Sequence, residues 1–322
     1  LTEAAHTVMQ ANPNAPKVLI CVKNKMVLKK LEKVLFAAQV EVIAKETPPL
    51  LEEVKRTPDL LIISQDFISL LIKIPQNFAA VETIIIYSED PEKIFNLAAK
   101  DRRFNHLIAQ RDGLHPLSWQ VLNTVRRLIY QYDLRGLTPH LGWGSRIHEV
   151  YVPGSKDMHR IVEWIPEFSE AMGAPPKVRD AFAELGHELL MNAIYDAPMD
   201  AEGNHLYAQD RKQSVTLAKE HYPLFSIGTN GDLVGISVRD PFGGLKRKHI
   251  FQGLDRALSQ KGQIDTEGGG AGLGMFYIYN HGFVSFFTVR EGEFTEVTVL
   301  YDLTLNRREF ATLPKSVHYF IE

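Results

Sequence analysis

The chain contains little cysteine, no long apolar run and almost no excess of charge of one sign. Its single cysteine, Cys21, lies in the apolar run VLICV. This excludes an internal disulfide and favours a buried, structural thiol in a reducing, cytoplasmic compartment. No apolar run approaches the roughly 18 residues that a membrane-spanning helix needs, so we expect no membrane span. A formal net charge of -3 argues against nucleic acid as the main partner.

The length of 322 residues suggests two domains of ordinary size. Residues 1–16 lack the basic start and apolar centre of a secretory signal, and we expect a tail or a short helix there. From 17 to 132, short apolar runs alternate with amphipathic segments, which predicts a doubly wound α/β domain with a parallel sheet. The stretch 133–147, which contains glycine and proline without regular periodicity, is the expected linker.

The second half has a different order of elements. A short strand, HEVYVP, precedes two helical segments, KDMHRIVEWIPEFSEAMG and KVRDAFAELGHELLMNAIYDA. Hairpins are predicted around GTNGD and REGE. Helices grouped early and antiparallel strands grouped late predict a layered α/β sandwich over 148–303, with 304–322 as a C-terminal extension.

The segment EGGGAGLGMFYIYN, 267–280, is rich in glycine and ends in an apolar run that predicts a helix. A dinucleotide fingerprint requires glycines at i, i+2 and i+5, and a P-loop requires Lys and then Ser or Thr after its last glycine. This segment has neither spacing. Gly270, Gly272 and Gly274 remain candidates for contact with an anion, because a helix start carries unpaired N–H donors. A flexible glycine loop without a ligand is the alternative.

The predicted strand LVGISVRD ends on Asp240, and Gly243 and Gly244 follow it. A buried carboxylate at this position could accept a hydrogen bond from an adenine amino group, and the glycines would let a purine lie against the backbone. Ordinary turn residues are the alternative interpretation.

The helix AFAELGHELLMNAIYDA carries Glu188 and Asn192 four residues apart, so the two side chains share one face. An amide oxygen suits Mg²⁺, which binds through few protein groups together with phosphates. Glu188 could orient or deprotonate a nucleophile beside a γ-phosphate. The alternative is a surface Glu–Asn pair on an amphipathic helix. The expected core face of this helix comprises Phe182, Leu185, Leu189 and Ala193.

Together, ELLMNA, DPFGG and GAGLGM resemble, in order and separation, the N box and two glycine boxes of the GHKL ATP-binding domain. Histidine kinases, type II topoisomerases and bacterial anti-sigma-factor kinases share this domain, which is known as the Bergerat fold. The resemblance covers about 148–303 and implies ATP and Mg²⁺ as cofactors, with Asn192 holding Mg²⁺ and Asp240 recognising adenine. The implied ATP-binding residues are Asn192, Asp240, Gly243, Gly244, Gly270, Gly272, Leu273 and Gly274. The matching ATP lid, 245–267, carries the basic residues Lys246, Arg247, Lys248, Arg256 and Lys261.

Glu188 is the residue that distinguishes branches of this family. Histidine kinases usually carry Asn four residues before the Mg²⁺-binding Asn, whereas anti-sigma-factor kinases and the ATPase branches carry Glu. The layout of the strand HEVYVP and the two helices after it also resembles the start of the anti-sigma-factor kinases. Those enzymes phosphorylate Ser or Thr of a partner protein, which implies that Glu188 is the catalytic base, while an ATPase remains the other activity that this residue allows. HEVYVP fits the phosphoacceptor spacing of histidine kinases, but the strand composition around His148 argues against that role. Asp196, where relatives often carry His or Lys, and the insertion-like stretch 198–231 depart from the pattern.

The βα units over 17–132 resemble a response-regulator receiver. That family places an acceptor Asp at the end of its third strand, where this chain has Ser64, with Asp66 two residues later. Lys23 and Asn24 stand after the first strand instead of the acidic pair, so Mg²⁺ lacks its ligands. The resemblance therefore implies a pseudo-receiver that binds protein or dimerises.

The sequence predicts a cytoplasmic bacterial signalling protein in which a pseudo-receiver is joined to a Mg·ATP-binding domain. The expected activity is phosphorylation of Ser or Thr on a protein partner, and a homodimer is left open. A non-catalytic, ATP-sensing scaffold is the alternative from a different class. A histidine kinase that uses His148 is a third hypothesis.

Overall fold

The structure, a computed structural model, describes residues 15–47, 57–71, 80–110, 116–200, 202–259 and 271–322. The predicted tail falls almost entirely outside these ranges. The chain divides into two compact units. The first contains the described residues up to Ser88 together with Arg103–Asp133, and the second contains Glu89–Arg102 together with Leu134–Glu322.

In the described residues up to 133, every strand except the second is followed by a helix, as the apolar pattern predicts. The elements are β1 (Lys17–Cys21), α1 (Lys25–Phe36), β2 (Glu41–Lys45), β3 (Leu60–Ser64), α2 (Ile68–Leu71), β4 (Thr83–Tyr87), α3 (Pro91–Lys100), β5 (His106–Ala109) and α4 (Ser118–Tyr130). All belong to the first unit except α3, which clusters with the second.

The described strands of the first unit pair in the order β2-β1-β3-β4-β5, and every pairing is parallel. Strands β3 and β4 are buried along their whole length, which explains their continuous apolar sequence. Helix α1 buries Leu31 and Leu35 against this sheet and α4. It starts at Asn24, whose side-chain oxygen caps the N–H groups of Met26 and Val27.

The elements of the second half do not follow a simple order of helices and then strands, because two helices separate the two hairpins. The elements are α5 (Thr138–Leu141), β6 (Arg146–Tyr151), α6 (Ser155–Ala171), α7 (Pro176–Met191), β7 (Leu224–Thr229), β8 (Leu233–Asp240), α8 (Arg247–Ser259), α9 (Ala271–His281), β9 (Val284–Arg290), β10 (Phe294–Asp302), α10 (Arg307–Thr312) and β11 (Ser316–Ile321).

The strands of the second unit pair in the order β11-β9-β10-β8-β7-β6. The pairs from β6 to β9 are antiparallel, and both predicted hairpins are present as β7–β8 and β9–β10. Strand β11 instead runs parallel to β9, with Ser316 opposite Val284. The segment 304–322, predicted as an extension, therefore contributes a helix and a strand to this unit.

Helices α6 and α7 pack against each other and α7 contacts β8. The predicted core face of α7 is buried, since Phe182 and Leu185 are fully inaccessible. Gly186 allows this close packing, because an added Cβ there would overlap Ile165 and lie 3.1 Å from Cδ1 of Ile236. The α7 face that carries Glu188 is thus held at a fixed angle over the sheet.

Helix α3 packs along α8 within the second unit, although the sequence places it among the βα repeats of the first half. Asn96 donates to both carboxylate oxygens of Asp255, at 3.1 and 3.2 Å. Arg247 donates to the carbonyl oxygens of Ala98 and Asp101, at 2.7 and 2.8 Å. The α/β class predicted from sequence is confirmed, and the detailed position of α3 is an addition that the local pattern does not contain.

Candidate functional site

Glu188 and Asn192 meet at the C-terminal end of α7, as the spacing of four residues predicts. Nδ2 of Asn192 lies 3.4 Å from Oε1 of Glu188. With the amide nitrogen facing the carboxylate, the amide oxygen of Asn192 is left for another partner. Both residues are half-buried, so the pair lies at an accessible surface and not in the core.

The helix changes its hydrogen-bonding pattern at Asn192. Residues Asn192–Asp196 form a π-helical turn, and the amide N–H of Ala197 donates to the carbonyl oxygen of Asn192 over 2.8 Å. The sequence predicts an uninterrupted helix here. A π-helical turn inserts an extra residue into the helix and is often found at functional sites. It changes the direction in which Asp196 projects relative to Asn192.

Gly274, from the second predicted glycine box, lies directly against Glu188. An added Cβ at position 274 would be 3.2 Å from Cδ and 3.4 Å from Cγ of Glu188, and it would overlap Oε1. A second contact joins the same two helices, because Nε2 of His281 is 3.6 Å from Oε2 of Glu184. The structure therefore brings together two segments that are about 80 residues apart in sequence.

Gly272 and Leu273 lie in the first turn of the same helix, α9, while Gly270 lies outside the described residues. The helix start predicted for this box is present.

Burial raises the pKa of Glu188, while the positive charge of Arg211 and the hydrogen bond from Asn192 lower it. The negative charge of Asp196 raises it further. Arg211 also forms a bidentate ion pair with Asp196, with Nε 3.2 Å from Oδ1 and a second contact from Nη2 to Oδ2. Two charged groups, Arg211 and Asp196, therefore lie close to the Glu188–Asn192 pair. A raised pKa makes a carboxylate a stronger base and therefore a better proton acceptor.

Asp240 ends β8 and is almost completely buried, with 8% of its surface exposed. Burial raises its pKa to about 7, although the N–H groups of Phe242 and Gly243 stabilise the charged form. The hydrogen bond from Phe242 N to Oδ1 is 2.9 Å long. A buried carboxylate at the end of a strand can accept a hydrogen bond from a ligand amino group.

The two glycines after Asp240 have different roles. Gly243 has a φ of +67°, and an added Cβ would overlap the carbonyl oxygen of Arg290, so glycine is required by the turn and by the neighbouring backbone. Gly244 has no such restriction, since its added Cβ would meet only the flexible end of Met199, at 3.1 Å. Met199 follows the π-helical turn closely and thus links the Asn192 end of the site to the Asp240 end.

The basic residues predicted for the lid do not share one environment. Arg247 donates hydrogen bonds to carbonyl oxygens at the end of α3. Its guanidinium also lies 4.3 Å from the ring centroid of Phe251. Lys246, Lys248 and Arg256 are exposed, and Lys261 lies outside the described residues. Arg247 therefore has a packing role, whereas the sequence alone does not distinguish it from the other basic residues of the predicted lid.

His148 lies on strand β6, as its flanking residues predict. Its Nε2 faces Nε of Arg146 at 3.1 Å, and its ring packs edge-on against Phe168 with centroids 5.2 Å apart.

In the first unit, Ser64 Oγ donates to Oδ2 of Asp66 over 3.1 Å, and Asn24 is used as a helix cap. These side chains have local structural partners.

Arg211 and Met199 are the residues near the site that the sequence interpretation missed. Both lie in the stretch 198–231, where neither helical nor strand periodicity marks them. The bidentate pairing of Arg211 with Asp196 spans 15 residues. No local pattern could have identified it.

No protein-family model matches the chain, and no curated protein matches it. Among solved structures, the chain is similar to a GCN5-related glucosamine N-acetyltransferase region of a fungal multi-domain GH3 β-N-acetylglucosaminidase, at 11% identity and a TM-score of 0.25. The match covers 72% of this chain and 25% of that chain. A TM-score this low carries no argument about fold or activity. Within the described ranges, no helix combines the length and the apolar character needed to cross a membrane.

Proposed function

We propose that the second unit binds Mg·ATP and transfers the γ-phosphoryl group to a Ser or Thr hydroxyl of a protein partner. The observation that carries the proposal is the contact of Glu188 with both Asn192 and Gly274. The alternative interpretation, a surface Glu–Asn pair without a function, does not predict contact with a glycine at the start of a distant helix. The GHKL resemblance requires these segments to meet at the phosphate end of the nucleotide.

The chemistry of the site residues fits ATP and Mg²⁺. The amide oxygen of Asn192 is a hard ligand of the kind that Mg²⁺ takes together with phosphate oxygens. Gly274 lets the Glu188 carboxylate lie directly against the start of α9, and Asp240 offers a buried acceptor for an adenine amino group. When bound, Mg²⁺ neutralises the charge that develops on the transferring phosphoryl group.

Glu188 is the residue that we assign as the base. It would accept the proton of the Ser or Thr hydroxyl as that oxygen bonds to the γ-phosphorus, while the bond from the γ-phosphorus to the bridging oxygen breaks and ADP leaves. Burial, which raises the pKa of Glu188, makes the carboxylate a better proton acceptor. Asn192, which contacts Oε1, would orient it.

The first unit is, in this proposal, a pseudo-receiver of a cytoplasmic bacterial signalling protein. Its strand order, β2-β1-β3-β4-β5, is the order of flavodoxin-like doubly wound sheets. Asn24 caps α1, where a receiver carries an acidic residue for Mg²⁺. The unit would bind a protein partner or a second copy of the chain.

Titration calorimetry with ATP in the presence of Mg²⁺ tests nucleotide binding. We expect binding by the wild type and a loss of at least tenfold in affinity for Asp240→Asn, about the value of one good hydrogen bond to a charged group. Asp302→Asn is the matched control, because Asp302 also ends a strand and is buried, and it should bind normally. Absence of binding by the wild type would overturn the proposal.

A non-catalytic, ATP-sensing scaffold is the second candidate, and Asp196 next to the π-helical turn is the observation that favours it. A carboxylate there repels phosphate unless Arg211 neutralises it. Glu188→Gln distinguishes the two functions, because it keeps the shape and removes the proton acceptor. Loss of phosphate transfer with ATP binding retained supports the kinase, whereas a wild type that binds ATP without turnover supports the scaffold.

A histidine kinase would carry an acid-labile phosphate on His148. This phosphate would be absent from the His148→Ala variant. The strand position of His148 and its packing on Phe168 make this the least supported of the three.

A further inference from the structure

The charges around Asn192 present a problem for any polyphosphate ligand. Asp196 follows Asn192 by four residues within the same π-helical turn, and its side chain is about 29% exposed. Glu188 supplies a second carboxylate on the other side of Asn192. Two carboxylates within this short stretch would repel an anionic ligand.

Arg211 approaches this cluster from outside the helix. Its guanidinium holds both carboxylate oxygens of Asp196, through Nε at 3.2 Å and through Nη2. This planar, bidentate arrangement is specific to arginine, because lysine cannot present two parallel donors. Arg211 and Asp196 also both influence the pKa of Glu188, with opposite sign, so the three charges act on one another.

The segment that carries Arg211 is firmly attached at its C-terminal end. Tyr195, from the π-helical turn, donates its hydroxyl to the carbonyl oxygen of Gln213 over 2.8 Å. Val215 is buried and exchanges hydrogen bonds with Ser155, whose Oγ accepts from Val215 N at 3.0 Å. Arg211 is thus two residues from an anchored position, and its backbone is not a free loop.

We propose that Arg211 is a positioning residue that neutralises Asp196 and thereby allows the Asn192 end of the site to accept the phosphates of a nucleoside triphosphate. Segment 202–217 is then a part of the nucleotide site and not a peripheral insertion. This inference rests on the proposed function, because it assumes that the triphosphate lies beside Asn192. It assigns no direct contact between Arg211 and the ligand.

A purely structural ion pair predicts something different. An ion pair with partners this exposed contributes little to stability, and removing either partner of a structural pair should have a similar effect. Neutralisation predicts an asymmetry. Loss of Arg211 leaves an unpaired carboxylate that repels phosphate, whereas loss of the Asp196 charge leaves nothing to neutralise.

The test compares Arg211→Met, Asp196→Asn and the double variant by titration with Mg·ATP and, separately, with adenosine, which carries no phosphate. Arg160→Met is the matched control, because Arg160 also forms an ion pair, with Asp157 at 3.5 Å, on an exposed face of the same unit. Thermal unfolding of each variant checks that the fold is intact.

We expect Arg211→Met to bind Mg·ATP at least about tenfold more weakly than the wild type, since one unneutralised charge lies near several phosphate charges. Asp196→Asn should bind at least as tightly as the wild type, and the double variant should return to within about threefold of it. Adenosine affinity should be unchanged throughout, and Arg160→Met should behave as the wild type.

Two outcomes would overturn the inference. Equal Mg·ATP affinity of Arg211→Met and the wild type would show that the ion pair has no influence on the ligand. A double variant as weak as Arg211→Met would show that arginine contacts phosphate directly instead of acting through Asp196. If the wild type binds neither Mg·ATP nor adenosine, the proposed function itself fails, which is a separate result.

Discussion

Replacing Gly274 with alanine perturbs the contact on which the candidate site depends. The added Cβ would lie 3.2 Å from Cδ of Glu188 and would overlap Oε1. The obstructing atoms belong to the end of a flexible side chain, so the carboxylate can rotate away without a shift of either helix. That rotation breaks the 3.4 Å contact with Nδ2 of Asn192.

The expected change in stability is small because two contributions have opposite signs. Alanine stabilises a helix by about 1 kcal/mol relative to glycine. Loss of one hydrogen bond costs about 0.5–1.5 kcal/mol, and a strained side-chain rotamer costs a further amount of about 0.5–1.5 kcal/mol. We therefore expect Gly274→Ala to lower the free energy of unfolding by at most about 2 kcal/mol. Phosphoryl transfer should fall by at least about 100-fold, since a displaced base loses its contribution.

A double-mutant cycle with Glu188→Ala isolates the contact. In that background the added Cβ meets no carboxylate, so Gly274→Ala should stabilise the fold by about 1 kcal/mol. Urea denaturation of the four proteins measures the difference. A coupling energy of at least about 1 kcal/mol is expected for residues in contact. Coupling within about 0.5 kcal/mol of zero would refute the contact between Gly274 and Glu188.

Three other features of the chain give measurable expectations. Gly243→Ala should destabilise the fold by at least about 2 kcal/mol in urea denaturation, because of its positive φ and the overlap with the Arg290 carbonyl, while Gly244→Ala should cost under about 1 kcal/mol. The pKa of Asp240 is raised from 3.8 to about 7, so the folded state retains a proton that the unfolded state releases. Its contribution to stability is complete below about pH 4 and is lost as the pH rises through 7, by up to about 4 kcal/mol. Urea denaturation of Asp240→Asn between pH 4.5 and 8 should lack this decrease, and equal pH profiles would contradict it. Burial raises the pKa of Cys21 to about 11, so a thiol reagent should react with it only on unfolding, and rapid reaction of the native protein would show that the thiol is accessible.

Local patterns predict the elements whose signals are contained in a few consecutive residues. The hairpin at β7–β8 follows from Asn230-Gly231 between alternating strands, and Gly231 has the positive φ, +99°, that such a turn requires. The buried face of α7 follows from apolar residues at helical spacing. Glu188 and Asn192 meet for the same reason, because a separation of four residues places them on one face.

Contacts between distant segments are not contained in those patterns. Strand β11 pairs in parallel with β9. The apolar sequence of a strand does not determine which strand it pairs with or in which direction. Helix α3 has the expected helical sequence, yet its hydrogen bonds go to α8, about 150 residues later. Amphipathic periodicity indicates that a helix has a buried face but does not identify what covers it.

The π-helical turn at Asn192–Asp196 involves both local helical sequence and contacts with a distant segment. A regular helix would continue the 3.6-residue repeat past Asn192, and the amphipathic pattern of the sequence predicts such a regular helix. The extra residue changes where Asp196 projects, and Arg211 then pairs with it from a segment that has no periodicity. The residues that could perform chemistry, Glu188 and Asn192, were therefore identifiable from sequence because their geometry is local. The charge balance around them was not, because it depends on a bidentate contact from Arg211, in segment 202–217. For this pair of residues, the spacing along the helix determines which groups are present, and long-range packing determines the charge around them.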